Sequence, residues 1–403
     1  MKKSLVALAV FGAFSGLAQA DNTSVTLYGI IDAGIMSASK TAGGANGQNE
    51  GGRVLGFQDA QLLPSIYGIK GTEDLGGGLK AGFNLEGGFD THNGTHNSPG
   101  VIQTNIFGRE AKVTLGGDWG TVGGGLQVDP ALIAAIATEP RGMTDSLSSL
   151  EYWIIATAGT TPQTLTGGIF DTNAVTYTYS GNGLYLGLLY SFGGVAGSTS
   201  SNSGYSLGAS YANSGLVVSA GYAESKANIA AAGTAPAYNG TQDKIDFIGV
   251  GYTFGPFAGR LQYQNFKSAY SLTGVAGSDI KDIGLGLDWS MGANKLNLSL
   301  YRAKDSGPAP AIVLNTGGSA PANLGVVPGG GGKTTEIALL DTYNLSKRTS
   351  VYGQIASVKS DAITSTGGPG LSATLGGIYT VAGLTNATDT STLFIGIGVQ
   401  HTF

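Results

Sequence analysis

The chain has 403 residues, no cysteine, 69 glycines against 12 prolines, 12% charged residues and a formal net charge of −5. That balance excludes a disulfide-stapled secreted domain, a collagen-like repeat and a basic nucleic-acid binder, so nucleic acid is not an expected partner. Abundant glycine beside 18 tyrosines suits a large closed β-structure with aromatic belts.

Residues 1–20, MKKSLVALAVFGAFSGLAQA, open with two lysines, continue apolar to Leu17 and end on the small-x-small site Ala18-Gln19-Ala20. This is the pattern of a cleaved secretory signal peptide, with a mature chain of 21–403 beginning at Asp21. Losing Lys2 and Lys3 takes the formal charge from −5 to −7. After it, no apolar run reaches the ~18–20 residues of a membrane helix.

Short segments of alternating polarity then follow one another. Their cores lie at 24–35, 64–71, 78–90, 104–116, 121–127, 173–179, 184–192 and 203–212, then at 216–224, 242–253, 257–266, 280–289, 295–303, 333–344, 349–358 and 393–403. Seven connections are tight turns, the first six built on Gly, Asn or Pro: TEDLGG (72–77), GDWG (117–120), SGNG (180–183), NSG (213–215), FGP (254–256), SMGAN (290–294) and LSKR (345–348). The other eight are long, at 36–63, 91–103, 128–172, 193–202, 225–240, 267–279, 304–332 and 359–392. Fifteen connections imply sixteen strands, most near the ~9–11 residues that a tilted strand needs to cross a bilayer.

The two faces of these strands differ. Leu296, Leu298 and Leu300 alternate with Lys295, Asn297 and Ser299; Val25, Leu27, Ile31 and Ile35 oppose Thr26, Asp32 and Gly34. A soluble sandwich would need an apolar interior, whereas here the second face is Gly, Ser, Thr, Asn and Lys. Apolar outside and polar inside is the arrangement of a membrane barrel, which also leaves no strand edge open in lipid. The expected fold is therefore all-β: a sixteen-stranded antiparallel transmembrane barrel with long loops at one end and short turns at the other. The last segment, LFIGIGVQHTF (393–403), then pairs with the first, with Leu393, Ile395, Ile397, Val399 and His401 towards lipid and Gln400 and Thr402 inward.

SVTLYGIIDAGI (24–35), YGIKGTEDLGGGLKAGFNLEGGF (67–89), FGREAKVTLGGDWGTVGGG (107–125), YNLSKRTSVYGQIA (343–356) and the closing VQHTF resemble the trimeric general porins of β-proteobacteria. The resemblance implies an outer-membrane homotrimer of water-filled channels for passive diffusion of small hydrophilic solutes and ions. It sits in outer-membrane lipid and lipopolysaccharide, with periplasmic turns and extracellular loops. It also implies that the terminal Phe403 addresses the chain to the barrel-assembly machinery. The third long loop, 128–172, would fold into the lumen as the constriction, carrying Asp129, Glu139, Arg141, Asp145 and Glu151. Opposed charges across a narrow aqueous gap create a transverse field that biases ion passage.

The family usually has arginine where this chain has Ile66, Leu126 and Phe170, which would weaken that field. Arg109 matches a wall arginine, although simple parity groups it with Phe107, Ala111 and Val113 rather than with Glu110 and Lys112. A bulge, or a place above the lipid band, would reconcile the two. Lys70 and Lys112 are the further basic wall candidates, and Asp32 is expected inward. Solute specificity is the alternative, suggested by those three apolar positions and by ALIAAIA (131–137).

PGGGGKTT (328–335) mimics a phosphate loop, but Val327 stands where its first glycine belongs. His92 and His96 are four apart but lie in a loop without helical pattern or further ligands. With His401 they are the only histidines, and no nucleophile–base constellation forms around them. No cofactor, metal or enzymatic activity is expected.

Overall fold

The computed structural model describes residues 24–39, 53–96, 105–150, 153, 169–229, 238–268, 279–306, 332–360 and 390–403. The expected signal peptide and most of the outer connections lie outside these residues.

The chain forms one closed antiparallel barrel. Its strands are β1 (Ser24–Ala38), β2 (Val54–Asp59), β3 (Ile66–Gly76), β4 (Leu79–Gly88), β5 (Glu110–Gly117), β6 (Gly120–Val128), β7 (Phe170–Gly181), β8 (Leu184–Ser191) and β9 (Gly204–Asn213). They continue as β10 (Leu216–Ile229), β11 (Tyr238–Phe254), β12 (Phe257–Ser268), β13 (Asp279–Met291), β14 (Asn294–Asp305), β15 (Gly332–Asn344), β16 (Thr349–Ser360) and β17 (Thr390–Thr402). Seventeen segments fill sixteen barrel positions, because β2 and β3 share one. The upper part of β1 pairs with β2 (Ala33↔Asp59 to Ala38↔Val54), and its lower part pairs with β3 (Ser24↔Thr72 to Ile30↔Ile66). Between them the chain bends inward over 60–65.

That interruption lies within the expected connection 36–63, where no strand was anticipated. The first tight turn also moves. β3 runs to Gly76 rather than ending near 71, and Gly76, Gly77 and Gly78 turn the chain with φ of 84°, 62° and 83°. Glycine accepts that left-handed region without steric cost.

Outward faces are apolar from strand to strand, with Ile283, Leu285 and Leu287 on β13, Leu298 and Leu300 on β14, and Ile395, Ile397 and Val399 on β17 all exposed. At the tight-turn end, Phe254, Phe257 and Trp289 stack with centroids 5.6 and 5.9 Å apart, and Trp119 stacks on Tyr177 at 6.4 Å. Aromatic rings at this depth form the girdle of a membrane barrel. The inward face is not uniformly polar. Ile245, Phe247, Phe266, Ile280 and Ala303 are buried there under the third loop, where they meet Leu150 and Trp153.

The seam is β1 on β17, from Ile30↔Thr402 to Ala38↔Phe394. It ends in two backbone hydrogen bonds, Gly29 N to Phe403 O at 3.2 Å and Phe403 N to Gly29 O at 3.1 Å. The Phe403 ring packs over Gly29, at a place where any added Cβ would collide with it. Deleting Phe403 removes both bonds and the ring. We expect the yield of heat-modifiable folded barrel on electrophoresis to fall several-fold, while the channels that do form keep wild-type conductance.

Candidate functional site

The third loop enters the lumen at Asp129, which is fully buried. Its Oδ1 accepts from Ala131 N at 2.7 Å and Leu132 N at 3.2 Å and so caps helix α1 (Pro130–Ile136), with Pro130 in the first turn. The same oxygen accepts from Ser206 Oγ of β9 at 2.6 Å. The Asp129 N–H donates to Ile169 O at 3.0 Å, so the loop's entry is bolted to its exit. On α1, Ala131, Ala134 and Ala135 are buried on the wall, while Ile133 and Ile136 are 39% and 43% exposed. The stretch ALIAAIA thus packs its alanines and Leu132 and turns Ile133 and Ile136 away from the wall.

The wall is shaped to receive this helix. Gly187, Gly208 and Gly221 stand side by side on β8, β9 and β10. A Cβ on Gly187 would lie 2.6 Å from Pro130 Cβ, and one on Gly221 3.0 Å from Ala131 Cβ. Gly208 meets the Pro130 backbone directly, and Gly249 of β11 meets Thr138. Further round, a Cβ on Gly284 of β13 would be 2.7 Å from Pro140 Cγ. The loop therefore lies in a groove of missing side chains.

Polar bonds carry the loop onward. Gln262 Nε2 donates to Ala135 O at 2.8 Å and Asn297 Nδ2 to Pro140 O at 3.0 Å. Glu139 is fully buried. Its Oε2 accepts from Arg141 N and Met143 N, both at 2.7 Å, and its Oε1 accepts from Ser149 and from Tyr301 Oη of β14. Arg141 Nη2 reaches Gln354 of β16 at 2.8 Å. Asp145 N and Ser146 N then donate to Leu62 O and Gln61 O of the inward bend, at 3.0 and 3.2 Å. Leu147 enters a cluster with Met36, Ala38, Ala338, Ala356, Val358 and Phe394. The chain returns to β12 through Ser149 and Trp153, both bonded to Gln264. The loop thus covers the inner wall from β8 round to β16 and leaves that of β3–β6 facing it.

On this uncovered wall, Lys70, Asn84 and Lys112 stand in one row of the ladder, with Glu86 and Glu110 paired one step above. Lys112 Nζ is 3.0 Å from Glu110, and Lys70 Nζ lies 4.9 Å from the Tyr28 ring centroid. Tyr28 Oη bonds Asn84 and Glu86, each at 2.8 Å. Arg109 also belongs here. It precedes the first ladder pair of β5 in a bend, so strand parity does not govern it. Its Nε lies 2.7 Å from Glu86 Oε1, and its guanidinium carbon is 4.8 Å from the Phe170 ring centroid.

The other expected positions are packed rather than open to water. Asp32 faces inward but is buried under the 60–65 bend, where it accepts from Leu62 N and Leu63 N (2.9 and 3.0 Å) and from Tyr352 and Gln400 of the seam. Ile66, the first residue of β3, is also buried. Phe170, the first residue of β7, is fully buried with Trp153 and Ile169, and Leu126 packs against that cluster. Glu151 lies outside the described residues. Glu86, Glu110, Tyr28, Gln61 and Gln354 were not singled out from the sequence, although the alternation Gly82, Asn84, Glu86 on β4 would have pointed to Glu86.

Burial raises the Asp129 carboxyl to about 6 against the pull of Ser206 and two helix N–H groups. Burial also pushes the Asp145 carboxyl well above the usual carboxylate range, with Arg109 pulling it back.

A family model for Gram-negative porins matches residues 5–363. The chain belongs to the Gram-negative porin family. Outer membrane porin protein 32 of Delftia acidovorans is 32% identical over 431 residues, covering 100% of both chains. An outer membrane porin protein of Bordetella pertussis is 41% identical over 142 residues, covering 32% of this chain and 34% of that protein. Among solved structures, the anion-selective porin from Comamonas acidovorans aligns over 95% of this chain and 100% of its own with a TM-score of 0.67 at 24% identity. The OmpF of Salmonella typhi aligns over 94% and 97% at 0.56 and 15%. The barrel is thus an outer-membrane porin channel of a Gram-negative bacterium, a channel rather than an enzyme, and its β-proteobacterial resemblance holds over the whole chain.

Two outcomes test this site. Gly208→Val should push Pro130 off the wall and alter both open-channel conductance and current noise. Gly259→Val should alter neither, since nothing lies within 4 Å of its added Cβ. The second concerns pH. Because Asp129 binds its proton more tightly in the folded channel than the ~4 of a free aspartate, the loop's anchorage gains stability as pH falls from 6 towards 4 and loses it as pH rises. Channel noise should therefore fall on acidification over that window, and Asp129→Asn, which keeps a capping oxygen, should weaken the response.

Proposed function

We propose that the channel passes small hydrophilic solutes and ions by passive diffusion past the third loop, with a weak preference for anions. One observation carries the preference: in the lumenal ion pairs the base is the member nearer water. Side-chain exposures are 24% against 9% for Lys112–Glu110, 21% against 4% for Arg260–Asp288 and 49% against 4% for Lys295–Asp288. Solutes in the pore therefore meet partly neutralised positive charge. Lys112→Gln with Lys295→Gln should move the reversal potential in a salt gradient towards cation selectivity; an unchanged potential would remove these bases from the permeation path.

The constriction would be the gap between the loop, which carries Asp129, Glu139, Arg141, Asp145 and Glu151, and the facing wall of Lys70, Arg109 and Lys112, the buried loop charges acting by anchoring it. Asp32, Ile66, Leu126 and Phe170 would support that wall from behind. The assembly would be a homotrimer in outer-membrane lipid and lipopolysaccharide, inserted by the barrel-assembly machinery through its Phe403-terminated strand, as the family resemblance implies. No catalysis enters this reading. His92 sits 3.8 Å from Asp90, His96 3.3 Å from the Tyr67 hydroxyl and His401 2.9 Å from the Thr349 hydroxyl, none of them on the loop. Planar-bilayer recording should give ohmic conductance that closes in three equal steps; absence of conductance would overturn the reading. The exposed Ile133 and Ile136 favour a second reading, a solute-specific channel, which saturable flux of one solute class would support.

A further inference from the structure

Below the row of Lys70, Asn84 and Lys112, the lumen wall of β3–β6 continues as a lattice of side chains and gaps. A strand presents the same face at every second residue. The next inward row is therefore Thr72, Gly82 and Thr114, with Gly123 beside them on β6. The row after it, nearer the short turns, is Asp74, Lys80, Gly116 and Thr121.

Gly82 and Gly116 leave holes in this lattice, and hydroxyls border both. A Cβ on Gly82 would lie 2.8 Å from Thr114 Oγ1 and 4.0 Å from Thr72 Oγ1, and one on Gly116 would collide with Thr121 Oγ1. The holes open into one cavity of about 330 Å³, lined by Thr72, Lys80, Gly82, Thr114, Asp118 and Thr121 among others. All of its lining residues belong to β3–β6 and the short turns between them, so it lies beyond the third loop, at the short-turn mouth. Its volume is at the small end of the ~300–1,000 Å³ of small-molecule pockets.

The polar groups here are uncommitted. Among the described residues, the hydroxyls of Thr72, Thr114 and Thr121, the Lys80 ammonium and the Asp118 carboxylate make no hydrogen bond or ion pair. Lys80 stands opposite Asp74 in the ladder, but Asp74 turns its Oδ1 to the Gly76 N–H at 2.8 Å. Hydroxyls both donate and accept, and one base and one acid cancel in charge. A small anion would be repelled by Asp118, and a hydrocarbon would leave three hydroxyls unpartnered. A compact ring bearing several neighbouring hydroxyls satisfies the whole set, because each of its own hydroxyls also gives and takes a hydrogen bond. Gly82 supplies a floor that such a ring can approach closely.

We propose that this recess is a binding subsite for a neutral monosaccharide, held by Thr72, Thr114 and Thr121 over Gly82, with Lys80 and Asp118 at its edge. It rests on the channel reading and gives the channel one solute class that pauses on its way through. The experiment titrates glucose into the detergent-solubilised full-length channel and reads binding by saturation-transfer NMR. Tetrahydropyran-2-methanol, the same ring without its ring hydroxyls, and acetate serve as comparisons. Wild type should bind glucose saturably and the stripped ring far more weakly, and acetate should not displace the sugar. Gly82→Val fills the floor and should abolish binding. Thr72→Val/Thr114→Val, which keeps the shape of both side chains, should weaken it about ten-fold, as expected for two lost hydrogen bonds, and decides the matter should the glycine variant fail to fold. Absence of saturable binding, equal binding of the stripped ring, displacement by acetate, or undiminished binding by a folded variant would each overturn the subsite. Conductance of the same preparations in sugar-free salt keeps the two readings apart: a conducting wild type that binds no glucose refutes the subsite alone, and a non-conducting one refutes the channel.

Discussion

A chain that crosses lipid in strands must pair every backbone donor and acceptor with itself, and that requirement shapes the whole molecule. It is met only by closure, so the last strand returns to the first and Phe403 exchanges two hydrogen bonds with Gly29. Closure also explains how β1 is served on its other side. β3 covers the lower half and β2 the upper, and the bend between them must have its own polar groups satisfied. Asp32 does this, accepting from Leu62 and Leu63 while Tyr352 and Gln400 hold it from the seam. An aspartate that by alternation alone would be a pore residue is instead the pin that joins three strands and a bend.

A barrel this wide has more inner wall than its side chains fill, and the third loop covers the remainder. Its anchorage is of two kinds. Near β8–β10 it is steric: glycines in register admit a short helix whose small face is alanine. From β12 onward polar bonds through Gln262, Asn297, Tyr301 and Gln354 join it, with Gly284 still making room for Pro140. Glu139 links the two halves by gathering donors from its own loop and from β14. The water path is thereby pressed towards β3–β6, where Lys70, Lys112, Arg109, Glu86 and Glu110 form the charged wall.

The barrel was legible because lipid enforces a period of two on every strand, and because turns such as Asn182-Gly183 declare themselves by residues that accept positive φ. Where an element lacked that enforcement, legibility failed. The β2 segment contributes only six residues to a shared position, and Gly76–Gly78 offers a glycine run on which a turn could sit anywhere. Arg109 misled parity because a bend, not a ladder, sets its direction. Within the loop the residue types gave charge but not depth. Nothing in the stretch from Asp129 to Asp145 signals that its carboxylates are buried, since that depends on glycines much further along the chain, as far as Gly284. Glu86 and Glu110 were hidden differently, as ordinary alternating strand residues whose role comes from the bases beside them.

The third loop is fixed across the lumen as far as the inward bend, and the pore is what this loop leaves open. The chain has no cysteine, so Gln61→Cys with Ser146→Cys, placed where Ser146 N meets Gln61 O at 3.2 Å, can be oxidised without competing thiols. The crosslink should form in the folded barrel and leave single-channel conductance unchanged. Failure to crosslink, or a conductance that changes on oxidation and returns on reduction, would contradict it.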